Sequence, residues 1–94
     1  MEREPEGLQP QELVKRYIRD GRLRTLPAKR SKRLVVLAWV ASHFKPGVLY
    51  PESAVNRMLS EIFDDYALLR RELYDAYLMD RDERGYRLRP SQTK

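Results

Sequence analysis

The chain has 94 residues, a formal net charge of +5, one histidine and no cysteine. A domain of this size buries only about two-thirds of the surface its unfolded chain exposes, so it has room for one hydrophobic core but little for an enclosed active site. The lack of cysteine excludes disulfides, thiolate metal sites and a cysteine nucleophile, and it favours a reducing cytoplasm.

The charge is strongly polarised along the chain. Residues 15–33, the basic block, carry nine Lys or Arg against one acid, whereas residues 51–85 carry five Arg against nine acids. A basic segment of this density is typical of a surface that meets a phosphate backbone or an acidic protein. The alternative is a solvated surface that serves only solubility.

We interpret residues 1–9 as a flexible arm whose acidic start does not resemble a signal peptide. Gln11–Asp20 then predict a short helix, since its apolar residues recur at helical spacing, and Gly21 is expected to cap its C-terminus. The longest apolar run, Leu34 to Ala41, is too short to span a bilayer. We therefore expect a cytoplasmic protein without a membrane partner.

The second helix should begin near Pro27 or Ala28, because proline suits a first helical turn. It should be the central and most buried helix, and Lys45-Pro46-Gly47 should end it. The residues predicted to form its apolar stripe are Leu34, Leu37, Ala38, Ala41 and Phe44, with Val35, Val36, Trp39 and Val40 widening it.

Two shorter helices are predicted next, separated by a tight junction. Pro51 should open the third helix, whose core residues would be Val55, Met58, Leu59 and Ile62. Asp64 or Asp65 should cap the fourth helix, with Leu69, Leu73 and Ala76 facing inward. Two short helices joined by a tight turn are typical of a helix-turn-helix.

Leu78–Arg81 and Tyr86–Arg89 are predicted strands of a hairpin, with Gly85 supplying a positive φ. We expect all strands to lie after residue 77. The predicted fold class is therefore mainly α with a small β-hairpin, a winged-helix-like helix-turn-helix domain over residues 10–89 with a flexible tail at 90–94.

Several motifs in this order resemble a known family. They are Gly21-Arg22-Leu23, Leu26-Pro27, Phe44-Lys45-Pro46-Gly47, Tyr50-Pro51-Glu52-Ser53-Ala54-Val55-Asn56, Leu69-Arg70-Arg71-Glu72-Leu73 and Leu78-Met79-Asp80-Arg81 with Gly85. The resemblance covers about residues 13–89 and is to a bacterial domain of unknown function that occurs alone or behind the helix-turn-helix domain of ArsR-like transcriptional regulators. It implies a regulator-associated domain without an established activity. This sequence departs from the family at Ala54, where an acid is usual, and at Tyr77, where a glycine is usual.

Enzymatic chemistry is not expected. His43 lacks partners for a metal site, and we interpret it as a structural residue at a helix end. The carboxylate clusters at Asp64-Asp65 and Asp80–Glu83 fall at predicted turns, where acids serve as caps rather than as acid–base pairs. No cofactor, metal or small-molecule substrate is indicated.

DNA is the predicted partner. The residues predicted to contact phosphate are Lys29, Arg30, Lys32, Arg33, Arg87 and Arg89, and those predicted to contact bases are Arg70, Arg71 and Tyr74. The acidic content of the fourth helix leaves an alternative open, in which Arg71 pairs with Asp75 and Arg70 with an acid of the preceding helix such as Glu61.

The second hypothesis is a protein-interaction or dimerisation module on the same fold. Its contacts would be the tyrosines Tyr66, Tyr74 and Tyr77, since aromatic residues are enriched at protein interfaces.

Overall fold

The computed structural model describes residues 9–90, so the predicted arm and tail lie largely outside the described residues. The helices are α1 (Pro10–Tyr17), α2 (Arg30–Ala41), α3 (Glu52–Ser60) and α4 (Tyr66–Asp75). The strands are β1 (Ile18–Arg19), β2 (Arg22–Leu23), β3 (Met79–Asp82) and β4 (Gly85–Leu88), paired antiparallel as β1–β2 and β3–β4.

The first helix is shorter than predicted and is followed by a hairpin. It ends at Tyr17, and the chain then turns back through Asp20 and Gly21, whose φ angles are 55° and 78°. Asp-Gly with positive φ at both residues matches the two-residue hairpin turn that fits the strand twist. Two predictions are therefore wrong: Gly21 lies in a hairpin turn instead of capping α1, and strands occur before residue 77.

The central helix begins at Arg30, later than predicted. Pro27 is buried in the preceding loop and Lys29 occupies the N-cap position. Val36 and Val40 are fully buried, whereas Ala38 of the predicted stripe is exposed. The core face of α2 is thus rotated towards the valines, because α1 and α4 both contact this helix. Leu37, Ala41 and Phe44 are buried as predicted.

The third and fourth helices agree closely with the prediction. Pro51 is the residue preceding the first turn of α3, and Asp65 caps α4 by accepting the Leu68 N–H at 3.2 Å. Leu69 and Leu73 of α4 are buried in the same core as Val55 and Leu59 of α3. The two helices pack directly against each other across the junction at residues 61–65.

The second hairpin is confirmed, with strands one residue later at β3 and one residue earlier at β4. Its two-residue turn lies between Asp82 and Gly85, which face each other in the register. Tyr86 also pairs with Tyr50 through two backbone hydrogen bonds of 2.8 Å, so the hairpin attaches to the segment preceding α3. Gly85 is required here because a Cβ would lie 2.3 Å from the Tyr50 carbonyl oxygen.

One core unites these elements, drawn from residues between Leu23 and Tyr86. The result is a mixed α/β arrangement of four helices and two small antiparallel hairpins over residues 9–90. Within that range, no helix is both long enough and apolar enough to cross a membrane.

Candidate nucleic-acid interface

Two exposed predicted cations lie at the start of α2. Lys29 and Arg30 are exposed, and neither side chain has an ion pair within residues 9–90. Lys29 at the N-cap makes no side-chain hydrogen bond to the first turn of this helix. Cations at a helix N-terminus oppose the helix dipole, whereas an anion there would meet both free N–H groups and two positive side chains.

Arg33 and Lys32, from the same predicted set, are engaged inside the protein. The Arg33 guanidinium lies 3.4 Å from the Glu72 carboxylate and donates a 3.2 Å hydrogen bond to the Ala28 carbonyl oxygen. It therefore joins the beginning of α2 to α4 and supports the loop before α2. Lys32 is half-buried and also has an interaction partner.

Arg70 is held between α3 and α4. Its side chain donates a hydrogen bond to the Asn56 side-chain oxygen and lies 3.8 Å from the Glu52 carboxylate. Arg70 thus contacts an acid of the preceding helix, but that acid is Glu52 rather than Glu61. Only 23% of its side chain is exposed, so it has little surface left for a ligand.

Arg71 and Tyr74 form the outward face of α4 with Ala67. Their spacing of three and four residues places them on one side of the helix, opposite Leu69 and Leu73. Arg71 is exposed and has no ion pair with another described residue, Asp75 included.

This outward face borders a cleft of about 670 Å³, which we call the arginine cleft. Its walls come from the start of α3, from α4 and from the second hairpin. The residues that line it are Glu52, Asp65, Ala67, Leu68, Arg70, Arg71, Tyr74, Arg81 and Tyr86.

The cations of the second hairpin are largely neutralised by its own acids. Arg87 lies 3.5 Å and Arg84 3.6 Å from the Asp82 carboxylate, while Arg89 donates a 3.1 Å hydrogen bond to Asp80. Arg89 also stands over the Tyr77 ring, 5.5 Å from its centroid. The predicted phosphate contacts Arg87 and Arg89 therefore already have anionic partners.

The Asp82 carboxylate in the turn of the second hairpin has a lowered pKa. The Arg84 backbone N–H donates to its carboxylate at 2.8 Å and lowers its pKa, and the nearby Arg84 and Arg87 guanidinium groups act in the same direction. The carboxylate stabilises the turn, so its role is structural.

The three predicted interface tyrosines are all exposed, and Tyr77 is exposed most, at 71%. Tyr77 follows α4 with a φ of 61°. Its N–H donates to the Tyr74 carbonyl oxygen and the Leu78 N–H to that of Leu73, the pattern of a Schellman C-cap in which glycine is usual. Tyrosine in this conformation is strained.

His43 follows the end of α2 and has a structural environment. Its Nδ1 lies 3.0 Å from the Trp39 carbonyl oxygen, and its ring stacks edge-on against the Trp39 ring with centroids 4.6 Å apart. Across residues 9–90, no three His, Cys, Asp or Glu side chains converge as metal ligands would.

The sequence prediction missed three residues around the cleft. Glu52 and Asn56 have the four-residue spacing that places both on one face of a helix, which was a usable signal. Arg81 had none, because only the packing of the hairpin brings it to the same cleft as Arg71.

Comparison with known protein families gives a match over most of the chain. The model of a family described as an uncharacterized protein conserved in bacteria, DUF2087, matches residues 22–88. No curated protein and no solved structure matches the chain. The matched segment runs from the first hairpin to the end of the second and includes the whole arginine cleft. The chain belongs to the bacterial DUF2087 family.

Proposed function

We propose that the chain is a non-enzymatic DNA-binding module of bacterial transcription regulation with a winged-helix architecture. In this assignment, α3 and α4 form the helix-turn-helix and the β3–β4 hairpin is the wing. The order of helices and hairpin, together with the tight junction between α3 and α4, supports it. The resemblance to domains of ArsR-like regulators supports a role in a cytoplasmic regulator.

The observation that carries the proposal is the set of exposed cations without internal partners. Lys29 and Arg30 at the uncapped start of α2 supply the phosphate contacts. The Arg33–Glu72 ion pair keeps this helix end beside α4, so the phosphate-binding surface adjoins the helix that faces the bases. Arg71 and Tyr74, on the outward face of α4, contact the base edges.

The other predicted contacts have secondary roles. Arg33 and Arg70 position α2 and α4, since both are committed to internal acids. Arg87 and Arg89 reach phosphate only by exchanging Asp82 and Asp80 for it. Lys32 adds to the positive potential of the basic block.

The decisive experiment is a titration with duplex DNA of random sequence at several salt concentrations. Lys29→Ala/Arg30→Ala should weaken binding to all sequences and reduce the slope of log K against log salt by about 0.9 for each phosphate that is no longer neutralised. Arg16→Ala/Arg19→Ala removes the same charge from exposed positions of the basic block and serves as the matched control. Equal weakening of DNA binding by the two double variants would mean that only the net charge of the protein matters. An absence of DNA binding at low salt would refute the proposal.

Base contact is tested separately with Arg71→Ala. If Arg71 contacts a base edge, the variant should lose about 1–3 kcal/mol of discrimination at one position of a selected sequence. Arg70→Ala provides the comparison, because its loss should first destabilise the α3–α4 contact. A variant at Arg71 that binds all sequences uniformly more weakly would instead mark a phosphate contact.

A second candidate function, binding of a protein partner, is favoured by the conformation of Tyr77. Tyr77 is a strained and exposed aromatic residue at a position where glycine would relieve the backbone. With Tyr74, which is 47% exposed, it forms an aromatic end to α4 suited to a protein contact.

Tyr77→Gly separates this function from stability. The substitution should raise the free energy of unfolding by about 1 kcal/mol, because it removes left-handed strain. A protein complex or dimer that depends on Tyr77 should nevertheless weaken, as measured by sedimentation. Tyr66→Ala, at the other end of α4, tests whether the contact extends along the helix to the third predicted tyrosine. A Tyr77→Gly variant that is more stable and assembles normally would exclude this function.

A further inference from the structure

We propose that the arginine cleft binds a small phosphorylated ligand of mononucleotide size, with Arg71 and Arg81 contacting the phosphate. The cleft lies at the meeting of α3, α4 and the second hairpin, and neither Lys29 nor Arg30 lines it. It shares Arg71 and Tyr74 with the proposed base-contacting face of α4 but none of the proposed phosphate contacts of the basic block.

The charges of the cleft support an anionic ligand. Three arginines and two acids line it. Both acids are occupied, Glu52 by Arg70 and Asp65 by its cap on the Leu68 N–H. Arg71 and Arg81 are exposed and have no ion pair with any residue in 9–90. Two unpaired guanidinium groups that line one cleft favour binding of a phosphate group. Each guanidinium can donate two N–H bonds to the phosphate oxygens.

Hydrogen bonds and an ion pair join the elements that form the walls of the cleft. Arg70 is tied to Asn56 and Glu52, which fixes α4 against α3. Arg81 lies on β3 directly opposite Tyr86, and Tyr86 is bonded through its backbone to Tyr50. Arg71 and Arg81, the two proposed phosphate contacts, therefore lie on elements that are bonded to their neighbours. The cleft volume of about 670 Å³ is in the range of small-molecule sites.

Tyr74 supplies a second contact. It lines the cleft beside Arg71 and is 47% exposed, so its ring is available to a planar group next to the phosphate. Stacking of a base on an aromatic side chain contributes about 1–3 kcal/mol. A nucleotide uses both features, whereas a sugar phosphate uses only the arginines.

The test is an NMR titration of the backbone N–H and arginine Nε–H signals with three probes: inorganic phosphate, ribose 5-phosphate and adenosine monophosphate. All three should shift the Arg71 and Arg81 signals saturably, and adenosine monophosphate should bind most tightly. Arg71→Lys/Arg81→Lys keeps the charge but removes the paired donors, so affinity should fall about tenfold or more. Tyr74→Leu should remove the advantage of adenosine monophosphate over ribose 5-phosphate.

Arg57→Lys/Arg84→Lys is the charge-matched comparison, since both side chains are exposed and neither lines the cleft. It should bind the probes about as well as the original protein. Equal weakening in both double variants would overturn the proposal, as would shifts confined to Lys29 and Arg30. Signals that shift with duplex DNA but with none of the three probes would also overturn the proposed ligand site, while leaving the proposed DNA-binding function intact.

Discussion

The two hairpins dock at opposite ends of α3 and do so by different means. The first hairpin meets the C-terminal end through one backbone bond, from the Leu23 N–H to the Ile62 carbonyl oxygen at 2.7 Å, and through a long side chain. The Arg22 guanidinium donates to the carbonyl oxygens of Ser60 and Glu61 at 3.2 and 3.0 Å. It also lies 2.6 Å from the Asp64 carboxylate. The second hairpin meets the segment before α3 through paired backbone groups of Tyr50 and Tyr86.

The difference matters for what each hairpin tolerates. The first hairpin makes a single backbone bond to this end of α3 and otherwise relies on a long side chain that can adjust to its partners, and nothing lies within 4 Å of a Cβ built on its Gly21. The backbone bridge between Tyr50 and Tyr86 fixes the separation of two segments of the chain, and it leaves no space for a Cβ at Gly85. Substitutions should therefore have graded effects at the first hairpin and severe effects at the second.

The largest effect is expected for Gly85→Ala. Its Cβ would lie 2.3 Å from the Tyr50 carbonyl oxygen, and alanine is strained at a φ of 149°. We expect a loss of more than about 3 kcal/mol in the free energy of unfolding, enough to threaten a domain of this size. Chemical denaturation measures it. A loss below about 1 kcal/mol would show that the two backbones can separate, and the comparison between the hairpins would fail.

Arg22→Ala should have an intermediate effect. It removes a cation that satisfies terminal carbonyl oxygens of α3, but the side chain is 45% exposed and water can replace part of the contact. We expect a loss of about 1–2 kcal/mol, measured by the same denaturation. Arg24→Ala, a neighbouring exposed arginine without a hydrogen bond to α3, is the control and should change stability little.

Gly21→Ala isolates the backbone preference of the first hairpin. No atom obstructs the new Cβ, so only the left-handed conformation at a φ of 78° opposes it. The expected loss is about 1 kcal/mol. Gly21→Asn tolerates this conformation better and should recover part of the loss. If alanine and asparagine behave alike, the turn does not keep its positive φ in solution.

The smallest effect concerns Asp82 in the turn of the second hairpin. Its pKa is lowered in the folded protein, chiefly by the Arg84 N–H, so its contribution to stability is present above the unfolded pKa and is lost as pH falls through the folded pKa. Asp82→Asn keeps an acceptor oxygen but not the charge. The stability difference between the original protein and this variant should shrink on acidification from neutral pH. A difference that is independent of pH would contradict the assignment.

Much of this fold was set by local sequence. The Asp65 cap, Pro51 before α3 and the inward leucines Leu69 and Leu73 were all predicted correctly, because caps and helical periodicity act within one or two turns. The hairpin at Asp20-Gly21 also had a local signal, but the apolar spacing of Val14, Tyr17 and Ile18 suggested a longer helix.

The environment of the basic residues was decided by tertiary structure alone. Lys29, Arg30 and Arg33 are neighbours in one charged run, yet Arg33 meets Glu72 while the other two face solvent. Arg70 and Arg71 are adjacent, but one is held by α3 and the other opens onto the cleft with Arg81. The density of Lys and Arg in residues 15–33 predicted a basic surface. Which cations stay available for a ligand depends on acids distant in sequence, because ion pairing is settled only when the helices pack.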